Sequence, residues 1–297
     1  MRCRRNWFAW QGGLHLNARL AAIASAVLFS TGGAAIKGTA LSSWHVAGLR
    51  SLIAAAAIAL LLPGARRSWS WPAALVAIAY AICLTSFVLA TKNTTAANAI
   101  FLQGTAPLYL VLLGPWLLQE PVRLAEWMTL ALVACGMGLV FADTAASQPL
   151  APHPALGNAL GALSGAAWAA TVCGLRWLGK RQSGNSMAPV LIGNLLAFAF
   201  CAPQMWPLPQ PSAADTVALL YLGIFQVGLA YWCLTHAMAT LPALEASLLI
   251  MVEPALNPLW TWLLHRETPS ASAIAGGALI IVSALIKSWR DRRNHVQ

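Results

Sequence analysis

Ten apolar runs of roughly twenty residues follow one another along this chain with only short polar breaks between them. They fall near residues 18–36, 46–62, 72–91, 95–118, 124–141, 157–178, 187–206, 214–235, 243–265 and 271–288. A helix needs about 20 mostly apolar residues to cross the hydrocarbon core of a bilayer, at a rise of about 1.5 Å per residue. Hydrocarbon satisfies no backbone polar group, so apolar runs of this length must close their hydrogen bonds internally as helices. The composition agrees: 59% of the 297 residues are apolar and 9% are charged, against about 45–50% and about 25% in soluble domains. The expected fold is an all-α integral membrane protein with ten spans and no room for a soluble domain.

The formal charge of +10 is a matter of topology before it is one of partners. With the N-terminus in the cytoplasm, fourteen Lys and Arg fall on the inner side, from Arg2, Arg4 and Arg5 through Arg66 and Arg67 to Arg292 and Arg293, and four (Lys37, Arg50, Lys92 and Arg266) fall outside. This is the positive-inside asymmetry, and an odd number of spans would destroy it. Both ends are predicted cytoplasmic. No basic stripe interleaves with aromatics, so no nucleic-acid partner is expected. Arg2, Arg4, Arg5 and Arg19 precede an apolar run, as in a signal peptide, but more spans follow and an uncleaved first helix is expected. The six cysteines stand singly, without a C-x-x-C pair, so neither a disulfide framework nor a metal site is predicted.

The chain also repeats itself. Shifting by 147 residues places Ala90 on Ala237, Pro107 on Pro254 and Glu120 on Glu267, and a shift of 139 places Phe29 on Trp168 and Lys37 on Arg176. The Pro-rich break after Ala142 contains no Lys or Arg and reads as a linker. The predicted organisation is a first five-helix repeat over 1–142, a linker over 143–156, a second repeat over 157–288 and a basic tail over 289–297. Five helices is an odd number, so the second copy must enter the membrane inverted, around a central cavity.

Inverted repeats place a site near the midplane, between the halves. The fourth span puts Asn98, Phe101, Thr105 and Tyr109 on one face, and the ninth puts Glu245, Leu249 and Val252 there with Glu253 alongside. Trp168 and Thr171 share a face of the sixth span, while Tyr80 and Tyr231 come from the third and eighth. Each has a plainer reading. The aromatic rings also serve as packing or lipid-facing groups, and Asn98 also serves as a cap or an interhelical hydrogen bond. A carboxylate at bilayer depth is costly, so Glu253 either binds a substrate ammonium, carries a proton, or stabilises the helix that Pro254 and Pro258 interrupt. Glu120 and Glu267 read as interfacial caps with Arg123 and Arg266 as candidate partners, and Lys37 and Arg176 as helix-end cations that snorkel. Arg50 either faces the cavity mouth, where it can receive a carboxylate, or lies at the surface.

The motif VEPALNPLWTWLLHRE from Val252 to Glu267, its counterpart TAPLYLVLLGPWLLQE from Thr105 to Glu120, and the charge-ended helices at Lys37 and Arg176 resemble the EamA type of the drug/metabolite transporter superfamily. Within it the overall pattern is most similar to the YddG-type exporters of aromatic amino acids and other small metabolites. That resemblance implies an inner-membrane carrier whose cavity is lined by the third, fourth, sixth, eighth and ninth spans, among others. Its motif positions here are Pro107, Glu120, Pro254 and Glu267; the carboxylate of Glu253 has no counterpart at Ala106.

The function expected is export of amino acids across a bacterial inner membrane by alternating access, with a bilayer and a small-molecule substrate as the partners. No cofactor is called for, and a monomer is admissible. Tyr80, Phe101, Trp168 and Tyr231 would face the substrate side chain; Asn98, Thr105, Thr171 and Glu253 would supply the polar contacts. A carrier of cationic drugs or of nucleotide sugars is the rival within the class, and a membrane enzyme or a non-transporting subunit is the rival outside it. The absence of G-x-x-x-x-G-K-[ST], H-E-x-x-H and G-x-S-x-G argues against ATP-driven transport by this chain and against an embedded hydrolase.

Overall fold

The computed structural model describes residues 18–67, 69–106, 109, 128, 131–136, 138–139, 151–181, 187–208, 210–240, 250 and 252–295. Regular structure within them is helical. We number the main helices α1 (Ala18–Lys37, with a turn at Thr31), α2 (Ser43–Leu61), α3 (Trp71–Asn93), α4 (Ala96–Gln103), α5 (Pro154–Arg181), α6 (Ala188–Cys201, extended by a 3₁₀ turn to Met205), α7 (Ala213–Thr240), α8 (Val252–His265) and α9 (Ala271–His295). Within the described residues, six helices are long and apolar enough to cross a membrane: α1, α2, α3, α5, α6 and α7. The described parts of the fourth, fifth, ninth and tenth apolar runs are also helical, including 131–136 and 138–139. Pro107, Glu120, Arg123, Glu245 and Leu249 lie outside the described residues.

Helix starts follow from side-chain chemistry. Ser42, Ser70, Thr95 and Ser212 each accept from a backbone N–H three residues on, satisfying donors that a first turn leaves open. The last forms a reciprocal capping box with Asp215.

The polarity is that of a lipid-facing bundle. Leu60 is 77% and Trp71 76% exposed, with Phe200, Leu264 and Ile274 also outward, whereas Asn98, Asn158, Asn194, Asn257 and Arg50 are buried. Water would penalise that arrangement, and hydrocarbon favours it.

Helices from the two ends of the chain pack on each other. α3 lies along α5 and α6, α2 against α6 and the middle of α7, and α1 against the end of α7 and against α8, which also touches α4. Small residues permit the close approaches. At Gly193 a Cβ would overlap the Tyr80 ring and stand 2.9 Å from the Ala77 carbonyl oxygen, a backbone atom unable to rotate away. Gly193→Ala is therefore expected to separate α6 from α3 and to lower stability by about 1–3 kcal/mol. A thermal melt in detergent checks this; an unshifted melting temperature would contradict the contact.

One end of the bundle is closed by a buried ion pair. Lys37, at the end of α1, lies 3.4 Å from a Glu267 carboxylate oxygen, with side chains only 2% and 5% exposed. Lys37 also donates to the Thr94 carbonyl at 2.9 Å, and the Ala96 N–H donates to the other Glu267 oxygen at 2.6 Å. The carboxylate thus meets the positive end of α4. Arg266, at φ 56°, turns the chain at the end of α8, and its N–H closes onto Trp262.

These contacts correct two expectations. The partner of Glu267 is Lys37, not Arg266. Lys37 is enclosed and does not snorkel. Arg50, for which the sequence left a cavity role and a surface role open, lies inside α2 and is 2% exposed. In each case a hydropathy profile registers the charge and its place along the chain, while the neighbour that encloses it comes from a distant segment.

Candidate functional site

Seven helices converge on a cavity with about 470 Å³ of atom-free space, part of it open to solvent. α1 contributes Phe29; α2, Arg50; α3, Cys83, Leu84 and Phe87; α4, Gln103; α5, Trp168; α7, Gln226, Val227 and Tyr231; and α8, Glu253.

Three local features shape it. α7 is a π-helix over Tyr221–Leu229; its wider turn changes the register of the face that carries Gln226 and Val227, a deviation found frequently at functional sites. α1 is interrupted at Thr31, whose hydroxyl donates back to the Leu28 carbonyl and meets the Tyr221 hydroxyl at 2.8 Å. The glycine that follows leaves room for Gln226, since a Cβ at Gly32 would stand 2.7 Å from its amide nitrogen. In α8, Pro258 lies inside the helix and withholds one N–H from the ladder. Thr261, on the next turn, donates to the Pro258 carbonyl at 3.1 Å.

The aromatic wall centres on Tyr231. Phe29, Tyr80 and Trp168 meet its ring edge-on with centroids 4.9, 5.0 and 6.3 Å away, geometry favoured by the ring quadrupoles. The hydroxyl of Tyr80 accepts from the Asn194 amide at 3.0 Å.

The polar groups are arranged separately. Arg50 donates through Nη1 to Gln226 Oε1 at 3.3 Å and through Nη2 to the Leu84 carbonyl at 3.0 Å, and its buried Nε has no acceptor among the described residues. Gln103 donates to the Ser164 hydroxyl at 2.8 Å, which donates to the Cys83 carbonyl at 3.1 Å. Glu253 is partly accessible, and no described residue hydrogen-bonds its carboxylate. Among the described residues the one ion pair is Lys37–Glu267, so Arg50 and Glu253 share the cavity without pairing. No group of three or more His, Cys, Asp or Glu able to hold a metal occurs among those residues.

The predicted site residues are thereby distributed. Trp168, Tyr231 and Glu253 line the cavity, and Tyr80 supports it from behind Tyr231. Phe101 packs against Gly277 of α9 and within an apolar cluster. Thr105 donates to the Leu102 carbonyl and Thr171 to the Ala167 carbonyl. Asn98 donates to Asn158, which also accepts from Thr94, tying α4 to α5. Sequence reasoning did not select Gln103, Gln226 or Phe29 for the site; the match of Phe29 to Trp168 in the internal alignment was the available signal for the last.

A family model described as the EamA-like transporter family matches residues 16–142 and 155–289. Over 234 residues, covering 76% of each chain, the sequence is 25% identical to the uncharacterized transporter YwfM of Bacillus subtilis (strain 168). A solved crystal structure of a protein without a functional name superposes with a TM-score of 0.62 at 21% identity, covering 93% of this chain and 98% of that one. That likeness bears on the fold alone.

Proposed function

We propose, for a chain that belongs to the EamA-like transporter family, that it exports amino acids, aromatic ones included, and related small metabolites across a bacterial inner membrane by alternating access. The fold proposed with this function has ten spans in two inverted five-helix repeats, 1–142 and 157–288, joined by the linker 143–156 and ending in the basic segment 289–297. Both termini are cytoplasmic in this reading, and the similarity to YddG-type exporters belongs to the same proposal.

The observation that carries it is the cavity. Six lining residues come from the first family-matched segment and five from the second, the distribution that a site between repeats requires. One internally aligned pair, Phe29 with Trp168, lines it together. Its wall offers ring faces to an apolar side chain, and Glu253 offers a carboxylate to an ammonium group.

Purified protein in liposomes is expected to accelerate counterflow of labelled phenylalanine or threonine, with rates compared with and without an imposed pH gradient. A broad amino-acid panel that moves no faster than in empty liposomes would remove the reading. The second reading, an organic-cation carrier, draws on the cavity-lining carboxylate of Glu253. Under that reading an organic cation without a carboxylate is expected to be carried faster than any amino acid, with Glu253→Gln abolishing its flux; under the first reading amino acids are carried and such cations lag behind them.

A further inference from the structure

The cavity contains a cation that the sequence reading left between a surface role and a cavity role. We propose that Arg50 is the carboxylate-binding residue of the transport site, so that the carrier selects solutes with an ammonium and a carboxylate on one molecule. This inference rests on the amino-acid reading above and specifies the chemistry of the same cavity.

The argument begins with the cost of the charge. A guanidinium taken from water into a bundle interior loses its hydration, and that loss is recovered through an anion or a full set of acceptors. Arg50 is 2% exposed and has two acceptors, Gln226 Oε1 and the Leu84 carbonyl. Both are neutral. No acidic residue pairs with it among the described residues, and its Nε has no acceptor there.

The surroundings hold this cation in place. Gln226 is positioned by the π-helical part of α7 and by the space at Gly32. A Cβ at Gly223, in the same segment, would stand 2.9 Å from the Arg50 carbonyl, so α7 and α2 approach closely at this level. Arginine presents a planar fork of donors to a carboxylate, and among the described residues its hydrogen-bond partners, Gln226 and the Leu84 carbonyl, carry no charge to offset it.

The anion's class follows from Glu253. A multiply charged phosphate entering a cavity that also holds a carboxylate meets repulsion at one end, and a lone organic cation meets it at the other. A zwitterion satisfies both groups. Because Arg50 and Glu253 do not pair, neither must be released before the substrate binds.

The test uses full-length protein in liposomes, with phenylalanine, phenethylamine, which lacks the carboxylate, and phenylalaninamide, in which it is neutral. Wild type is expected to move phenylalanine at least tenfold faster than either analogue. Arg50→Gln is expected to cut phenylalanine flux at least tenfold without lowering the slow amine flux, and Arg50→Lys to recover part of the phenylalanine flux. Equal flux of phenylalanine in wild type and Arg50→Gln overturns the assignment, as does an equal loss of all three solutes, which marks a structural role. Should Arg50→Gln fail to fold by size exclusion, wild type decides: phenylalanine must raise its melting temperature and phenylalaninamide must not. Protection by both overturns the proposal. Failure of wild type to move any amino acid removes the underlying reading and this inference with it, whereas amino-acid flux indifferent to Arg50 removes this inference alone.

Discussion

Glu267→Gln is expected to lower the stability of the protein by about 3–5 kcal/mol, the range for removing one partner of a buried ion pair. The substitution retains an oxygen able to accept from the Ala96 N–H and removes the charge that faces Lys37. Lys37 then keeps its bond to the Thr94 carbonyl but loses its counter-ion in a place closed to water. Adding Lys37→Met to Glu267→Gln is expected to recover much of the loss, because the second change removes the stranded charge. Thermal melts of wild type, both single variants and the double variant in one detergent measure this. A double variant less stable than both single variants, or a Glu267→Gln variant as stable as wild type, would show that burial of the charges is not what ties α1 to the end of α8.

Tyr231→Ala is expected to be the most damaging change in the cavity wall. Its ring is the shared neighbour of Phe29, Tyr80 and Trp168, and truncating a buried aromatic costs about 3–5 kcal/mol when the site cannot collapse. Here the three surrounding rings come from three different helices, so closing the void requires α1, α3 and α5 to move together. Flux in liposomes is expected to fall at least tenfold for Tyr231→Ala, an effect on the order of 1.4 kcal/mol or more in the transport barrier. Tyr231→Phe, which preserves the ring, is expected to retain most of it. Unchanged flux in a stable Tyr231→Ala variant would exclude this cavity as the solute path.

The helical segments were legible because the need to cross hydrocarbon acts on twenty residues at once. The run predicted near 18–36 is the helix Ala18–Lys37, that near 72–91 is Trp71–Asn93, and that near 214–235 is contained in Ala213–Ala237. Single polar residues were harder to place. The spacing places Asn98, Phe101 and Thr105 on one helical face, yet α4 ends at Gln103; Asn98 meets Asn158, Phe101 meets Gly277, and Thr105, beyond the helix end, bonds the Leu102 carbonyl. Thr171 likewise bonds the preceding turn of α5. A face in a sequence has a direction only relative to its own helix. Which neighbour stands opposite depends on how the helices are rotated.

Arg50 shows the same division from the other side. Its charge left a cavity role and a surface role open, and the packing of α2 carries it inward between the π-helical part of α7 and the carbonyl of Leu84. The sequence by itself determined that the chain crosses a membrane, that its apolar runs are helices, that its ends echo one another, and that Glu253 is a carboxylate in apolar surroundings. These properties depend on composition, period and length, all carried by contiguous residues. Only the tertiary structure decided that Lys37 belongs to Glu267, that Tyr231 gathers three rings, and that Arg50 and Glu253 occupy one cavity without touching. Each of those facts joins residues far apart in the chain, and the packing of whole helices, not the preference of any one residue, brings them together.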